Sequence, residues 1–346
     1  MSQAQRIEAV AAAAESWRDP DHESREAAVE ATLEAENRFT EEGLAFALNH
    51  FTHHVNRERL DRWLDGAAVQ QPVTAGVAVT GEEPLGGAAD LLAPYVLGHA
   101  VVASVPASSP ALWPAFFEAV AECGGPPVRF VPSRALFDEA EAVAAVVEAD
   151  VLDEWQARCE RAGIPPTRRF LRPARYAVAV LDGREDRSER SGFAEDLLLH
   201  DGYGRQAVRV VWAPEEHAPD AMLEALAGFR EVFPAHPDTH GSLAMPAAFL
   251  EAADVPRAQG PGFLVSKGEP EPQPPGHVRW STYSQLGEVR EWLRAHADAV
   301  EFASASARVR EGLSAPVPAA GPGDAHRLPL AWHRRGEDPV AFWAGV

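Results

Sequence analysis

The sequence predicts an α/β protein of two packed domains with a helical N-terminus, on three observations. At 346 residues and 46% hydrophobic, the chain is long enough to bury two cores. From Pro72 onward, short apolar runs alternate with helical stretches, the pattern of parallel sheets joined by right-handed crossovers. Ahead of Pro72, apolar residues recur at helical spacing instead.

Residues 5–65 read as helices. Ile7, Val10, Ala14 and Trp17 share one face, and Thr40 can cap a helix carrying Leu44, Leu48, Phe51 and Val55. Asn56 can cap a further short helix with Leu60, Trp63 and Leu64. The adjacent His53 and His54 project in different directions from a helix, which suits solvated positions better than a shared metal. Residues 73–80 then read as a strand that leaves through the turn Gly81-Glu-Glu-Pro84. A helix over 91–97, a strand over 100–105 and a helix over 110–121, rich in Trp113, Phe116 and Phe117, follow. Residues 128–131, 142–147 and 177–181 are further buried strands. The charged stretch 182–191 reads as a boundary or surface loop, followed by a strand over 207–212, a helix over 218–228 and a more irregular region. The proline-rich segments 267–276 and 316–323 read as exposed connectors.

The formal net charge of -21 argues against nucleic acid or an anionic membrane surface as a partner, because both need basic patches. Lys267 is the only lysine among 31 basic residues. A protein kept hydrated in a cytoplasm of high ionic strength and an ordinary acidic cytosolic protein both account for this bias. No apolar run approaches the ~20 residues of a spanning helix, and the N-terminal residues lack a signal-like apolar core, so a cytoplasmic location is expected. The cysteines, Cys123 and Cys159, form neither a CxxC pair nor a zinc-spaced cluster; both read as structural, and no metal is expected.

The stretch Asp196-Leu-Leu-Leu-His-Asp-Gly-Tyr-Gly-Arg-Gln-Ala-Val-Arg-Val-Val-Trp-Ala-Pro214 resembles the D-I-F-x-Y-F-G-x-G-C-R-N-V-x-x-L-x-V-P segment of the LuxC-type acyl-CoA reductases, relatives of the aldehyde dehydrogenases. Other segments resemble the same family in order. Asn37-Arg-Phe-Thr-Glu-Glu42 is similar to its N-x-W-F-T-P-E, Leu60-Asp-Arg-Trp-Leu64 to L-x-x-W-L, and the segment from Thr80 to Asp90 to A-G-N-I-P-L-V-G-x-H-D. Gly98-His99 matches a G-H or G-N, the segment from Arg172 to Gly183 resembles R-K-N-R-N-S-V-A-V-L-x-G, and the segment from Gly336 to Phe342 resembles G-V-D-T-M-A-F. One such match would be weak evidence; a series in order implies common ancestry.

The resemblance implies an aldehyde-dehydrogenase-like fold of two Rossmann-like α/β domains with a cleft between them. It places a helical N-terminus and nucleotide-binding-like domain at 1–175, a catalytic-like domain at 176–316, and a tail at 317–346 that packs back on the first domain. Trp332, Phe342 and Trp343 would anchor that tail or form a subunit contact in a homo-oligomer. The ancestral reaction is the NADPH-dependent reduction of a fatty acyl thioester to an aldehyde. By position, Gly81, Pro84 and Ser104 fall where the family binds cofactor, and Glu82 and Arg205 where it carries its catalytic asparagine and cysteine.

The departures fall on chemistry. Arg205 stands where the family has its acyl-accepting cysteine, and an always-protonated guanidinium is no nucleophile. Glu82 replaces an asparagine that donates near the thioester carbonyl, and a carboxylate there repels a developing oxyanion. Ser104 replaces a lysine that helps hold the cofactor, and residues 151–156 replace a glycine-containing T-G-S-x-x-T turn with bulky and acidic side chains that oppose a phosphate. Tyr203 and His200 flank position 205, but a strand-end histidine reads as a hydrogen-bonded surface residue rather than a base. Two functions are therefore expected to compete. One is an acyl-thioester reductase with a remodelled site. The other is a non-catalytic relative that binds a protein or an acyl ligand, with Arg205 free to pair with a carboxylate or a CoA phosphate.

Overall fold

Four helices open the chain where apolar spacing requires them: α1 (Gln3–Ser16), α2 (Glu23–Leu33), α3 (Glu41–His54) and α4 (Arg57–Leu64). The Ser2 and Asn56 side chains cap α1 and α4, and the Thr40 hydroxyl accepts the Gly43 N–H at the start of α3. The structure, a computed structural model, describes residues 1–204, 206–313, 317–334 and 336–346. Arg205 thus lies outside the described residues. The chain divides into a first unit of Met1–Asn37, Leu44–Ala174 and Pro329–Val346, and a second of Arg38–Gly43 and Arg175–Leu328.

The first unit continues with β1 (Thr74–Ala78), α5 (Ala88–Leu97), β2 (Ala100–Ser104), α6 (Leu112–Glu122), β3 (Arg129–Phe130), α7 (Ser133–Glu139), β4 (Ala142–Val147), α8 (Leu152–Arg161) and β5 (Arg169–Pro173). Its five strands form one parallel sheet in the order β3-β2-β1-β4-β5. Strand residues alternate between two cores, as the two-residue period demands. Ala75, Val77, Val101, Ala103, Ala142 and Ala144 join the core built with Trp17, Leu48, Leu92, Trp113 and Phe116. Ala78, Val102, Val143 and Ala145 face the core of Leu136, Phe137, Trp155 and Cys159. The sheet is thus covered by helices on both faces, which is why β1, β2 and β4 read as apolar runs. The edge strands differ: β5 carries Arg169 and Arg172, and β3 is a short pair of exposed Arg129 and half-buried Phe130 rather than the buried strand expected over 128–131.

The second unit contains β6 (Tyr176–Val180), α9 (Arg187–Leu198), β7 (Val208–Pro214), α10 (Asp220–Val232), α11 (Pro237–Ala252), β8 (Arg257–Gly260), β9 (Phe263–Lys267), β10 (His277–Tyr283), α12 (Leu286–Ala295), β11 (Val300–Ala305), α13 (Ala307–Leu313) and β12 (Ala319–Ala320). The sheet order is β12-β11-β6-β7-β10-β9-β8, parallel throughout except for the antiparallel β8–β9 pair. Helix α14 (Pro339–Ala344) closes the chain within the first unit, where Val340 and Trp343 enter the core.

Three further expectations about local structure need correction. The charged stretch 182–191 is not all loop: Asp186 caps α9 in a reciprocal box with Glu189, so the helix begins at Arg187. The stretch read as irregular holds α11 and the β8–β9 hairpin. Within the connector 316–323, Ala319 and Ala320 pair with β11.

Candidate functional site

In a doubly wound sheet, ligands bind beyond the carboxyl ends of the strands where the strand order reverses. In the first unit that point lies between β1 and β4. The turn after β1 is firmly built. The Thr80 hydroxyl donates to the Val146 carbonyl at the end of β4, and the Trp113 indole donates to the Gly86 carbonyl at 3.1 Å. Leu85 holds a left-handed φ of 56°, which a residue with a side chain adopts only when its surroundings fix it, and it is buried. Gly81 is half-buried and Pro84 buried, whereas Glu82 is exposed. Ser104 ends β2 and is buried, its carbonyl accepting the Val79 N–H at 2.9 Å.

Beyond β4 the backbone makes a 3-10 turn, Ala149–Val151, and enters α8. A helix N-terminus presents free N–H groups and partial positive charge, and so favours phosphate. Here that end carries Asp150 in the turn and Asp153 and Glu154 in the first turn of the helix, and its N-cap residue is Val151. All three acidic side chains are exposed, and Glu154 is paired with Arg158 at 2.5 Å, so they bring negative charge to the helix start where a pyrophosphate would need positive charge. The residues present do not fit NADPH in that place.

In the second unit, Asp196 lies in the last turn of α9, and residues 199–207 lead from that helix to β7. Asp196 is fully buried and accepts the Ser304 hydroxyl at 2.6 Å and the N–H groups of Gly323 and Ala325 at 3.0 Å each. Burial pushes its carboxyl up to about 7 against those hydrogen bonds. Gly192 of the same helix meets this segment backbone to backbone: a Cβ there would lie 2.6 Å from Pro322. His200 and Asp201 both take left-handed backbone angles, φ 52° and 56°, followed by Gly202 and Gly204 at 72° and 107°. Asp201 is buried and pairs with buried Arg230 at 2.8 Å, while accepting the His236 N–H at 2.9 Å and the Thr239 hydroxyl at 2.5 Å.

His200 is not the surface residue its position suggested. It is half-buried, packs edge-on against His326 with ring centroids 5.5 Å apart, and is pushed down to about 3, chiefly by burial and then by His326. Cys123 is exposed, which corrects the expectation of a structural thiol, and Cys159 is buried. Burial is the main cause that raises both thiols above their ordinary value, so neither is held as a reactive thiolate. Among the described residues no group of His, Cys, Asp and Glu is arranged to hold a metal, and no helix is long and apolar enough to cross a membrane.

Several residues that match the motifs are structural. Asp90 and Arg172, from separate segments, form an ion pair at 2.5 Å, with the guanidinium stacked 4.2 Å over the Phe170 ring. Phe170 stacks in turn on Phe342 of α14 at 4.8 Å. His99 is buried, accepts the Val73 N–H at 3.2 Å through Nδ1, and donates from Nε2 to the Trp343 carbonyl at 2.9 Å.

No protein-family model and no curated protein matches the sequence. Solved structures match its fold. An oxidoreductase from Marinobacter aquaeolei superposes with a TM-score of 0.70 at 10% identity, covering 93% of this chain and 78% of that one. A NAD-dependent benzaldehyde dehydrogenase from Corynebacterium glutamicum gives 0.65 at 13% identity over 94% and 83%. A Delta-pyrroline-5-carboxylate dehydrogenase from Mycobacterium tuberculosis, bound with NAD, gives 0.67 at 12% identity over 99% and 77%. The chain has the aldehyde dehydrogenase fold. At these identities the likeness concerns the fold alone.

Proposed function

We propose that this chain is a LuxC-like relative of the acyl-CoA reductases that has lost NADPH-dependent reduction of acyl thioesters and acts as a non-catalytic binding protein. On this reading 1–175 is the former nucleotide-binding part, 176–316 the former catalytic part, and 317–346 a tail. Its partner is another protein or an acyl ligand in the cytoplasm, and it works as a homo-oligomer or alone. The observation that carries the proposal is the acidic start of α8, where Asp150, Asp153 and Glu154 stand at the sheet's switch point. A dinucleotide's phosphates at this helix start would face like charge from Asp150 and Asp153, while Glu154 is paired with Arg158. The sequence adds the replacement of the family cysteine by Arg205, and the raised thiols of Cys123 and Cys159 offer no substitute. A reductase reading draws support from the intact fold, but fold does not carry chemistry.

The test is calorimetry of NADPH and of a fatty acyl-CoA with the wild-type chain and with Arg205→Cys, followed by an assay for aldehyde. The proposal expects no NADPH binding by either protein. Micromolar NADPH binding together with aldehyde release by the wild type would overturn it and restore the reductase.

A further inference from the structure

We infer that the second unit holds a small monovalent anion of chloride size in the cavity lined by Arg38, Thr40, Gly43, His200, Asp201 and Arg230. The cavity measures about 10 Å³ and is walled on its other sides by Leu198, Leu199, Phe233 and Pro234. That is room for one water-sized species, too little for a carboxylic acid or a phosphate. Charge decides between water and an anion. The Asp201 carboxylate is already satisfied by Arg230, the His236 N–H and the Thr239 hydroxyl. Arg38 is half-buried, has no carboxylate within ion-pair distance among the described residues, and keeps its Nη1 buried without a hydrogen-bond partner. His200 is held neutral by burial and so neither supplies nor cancels charge. Among the described residues the lining side chains therefore sum to one positive charge with no carboxylate partner, which an anion neutralises and a water does not.

Two further features suit the same occupant. The cavity opens at the first turn of α3, a helix of 14 residues whose N-terminus favours negative charge. The acidic residues of that turn, Glu41 and Glu42, are exposed. Position 43 is also held open by the lack of a side chain: a Cβ there would sit 3.2 Å from His200 Nδ1 and 3.2 Å from Thr40 Oγ1. The inference does not depend on whether the chain reduces thioesters.

Bromide, which mimics chloride and scatters anomalously, is the probe. Crystals of the full chain grown with millimolar bromide should show an anomalous peak beside the Arg38 guanidinium. A peak that appears only at molar bromide, or only elsewhere, marks adventitious binding and overturns the site. In solution at fixed ionic strength, replacing gluconate by bromide at ten times the dissociation constant should lower the unfolding constant about elevenfold. Arg38→Gln and Gly43→Ala should each abolish that response. A bromide response unchanged in both variants refutes the assignment. If a variant does not fold, the anomalous map of the wild type decides alone.

Discussion

Replacing Asp201 with alanine should be among the most damaging single changes in the second unit. Asp201 is 2% exposed and Arg230 6%, and their 2.8 Å contact lies beside the left-handed turn that leads into position 205. Removing the carboxylate leaves a buried guanidinium uncompensated, which costs roughly 3–5 kcal/mol. The orphaned His236 N–H and Thr239 hydroxyl add to this, each by about 1–3 kcal/mol unless water reaches them. Solvent entering the space left by the carboxylate can reach these donors, so the total should stay near the lower sum rather than the full one. Alanine also adopts the φ of 56° at Asp201 unwillingly, at about 1–2 kcal/mol, whereas asparagine tolerates it. Asp201→Asn is thus the comparison that removes charge while sparing the backbone. Guanidinium unfolding followed by tryptophan fluorescence should place Asp201→Ala about 4 kcal/mol or more below wild type, with Asp201→Asn between them. The double variant Asp201→Ala with Arg230→Met should recover part of the loss, since no buried charge then remains. A loss under about 1 kcal/mol, or a double variant no better than Asp201→Ala alone, would show that the pair does not anchor this turn.

The remaining predictions concern pH and thiols. His99 is held below its ordinary value, His200 is pushed down to about 3 and His277 to about 4, each chiefly by burial. Their contribution to stability is complete above about pH 6.5 and is lost as pH falls towards those values, because the unfolded chain then binds more protons. Asp196, pushed up to about 7, acts in the opposite sense: its contribution is complete below about pH 4 and disappears as pH rises through 7. The histidines outnumber it, so the unfolding midpoint should fall between pH 6.5 and 4, and Asp196→Asn should steepen that fall; a flat profile in both proteins refutes the assignment. Thiol titration should find one reactive cysteine, Cys123, in the native protein and Cys159 only on unfolding, with Cys123 slower than a free thiol at neutral pH. Faster reaction than a free thiol would identify an activated nucleophile after all.

Legibility in the sequence followed the strength of each local signal. The strand at Ala142–Val147 and its neighbour β1 were readable because a sheet buried on both faces leaves unbroken apolar runs, whereas the other neighbour, β5, half-buried and carrying Arg169 and Arg172, was not. The Asn56 cap was readable because its side chain acts on residues three positions away. Helix α11 was not, since Gly241 and Pro246 interrupt it and it buries little more than Thr239, Leu243 and Ala247. The start of α9 was hidden in a run of charges whose capping box, Asp186 with Glu189, resembles any polar loop until its geometry is known. In the site, positions could be assigned by motif, but the cavity beside His200 could not. Arg38 and Arg230 are 192 residues apart, and only the fold brings them to one wall.

Which residues match the motifs and which differ from them follows from what each one does in this fold. Asp90 with Arg172 and His99 with the Trp343 carbonyl satisfy buried polar groups, and losing one partner leaves the other uncompensated. Asp196 is bound in the same way, through three donors that would be orphaned without it. Such positions resist change whether or not the protein turns over a substrate. Glu82, Asp153 and Glu154 bear no such constraint: Glu82 sits exposed in its turn, and the other two lie in the first turn of a helix, where carboxylates are favourable. An acidic helix start therefore stabilises α8 in a chain that binds no phosphate there, and opposes function in one that does. The same substitution has opposite signs under the two readings, which is why NADPH binding separates them more cleanly than any measure of stability.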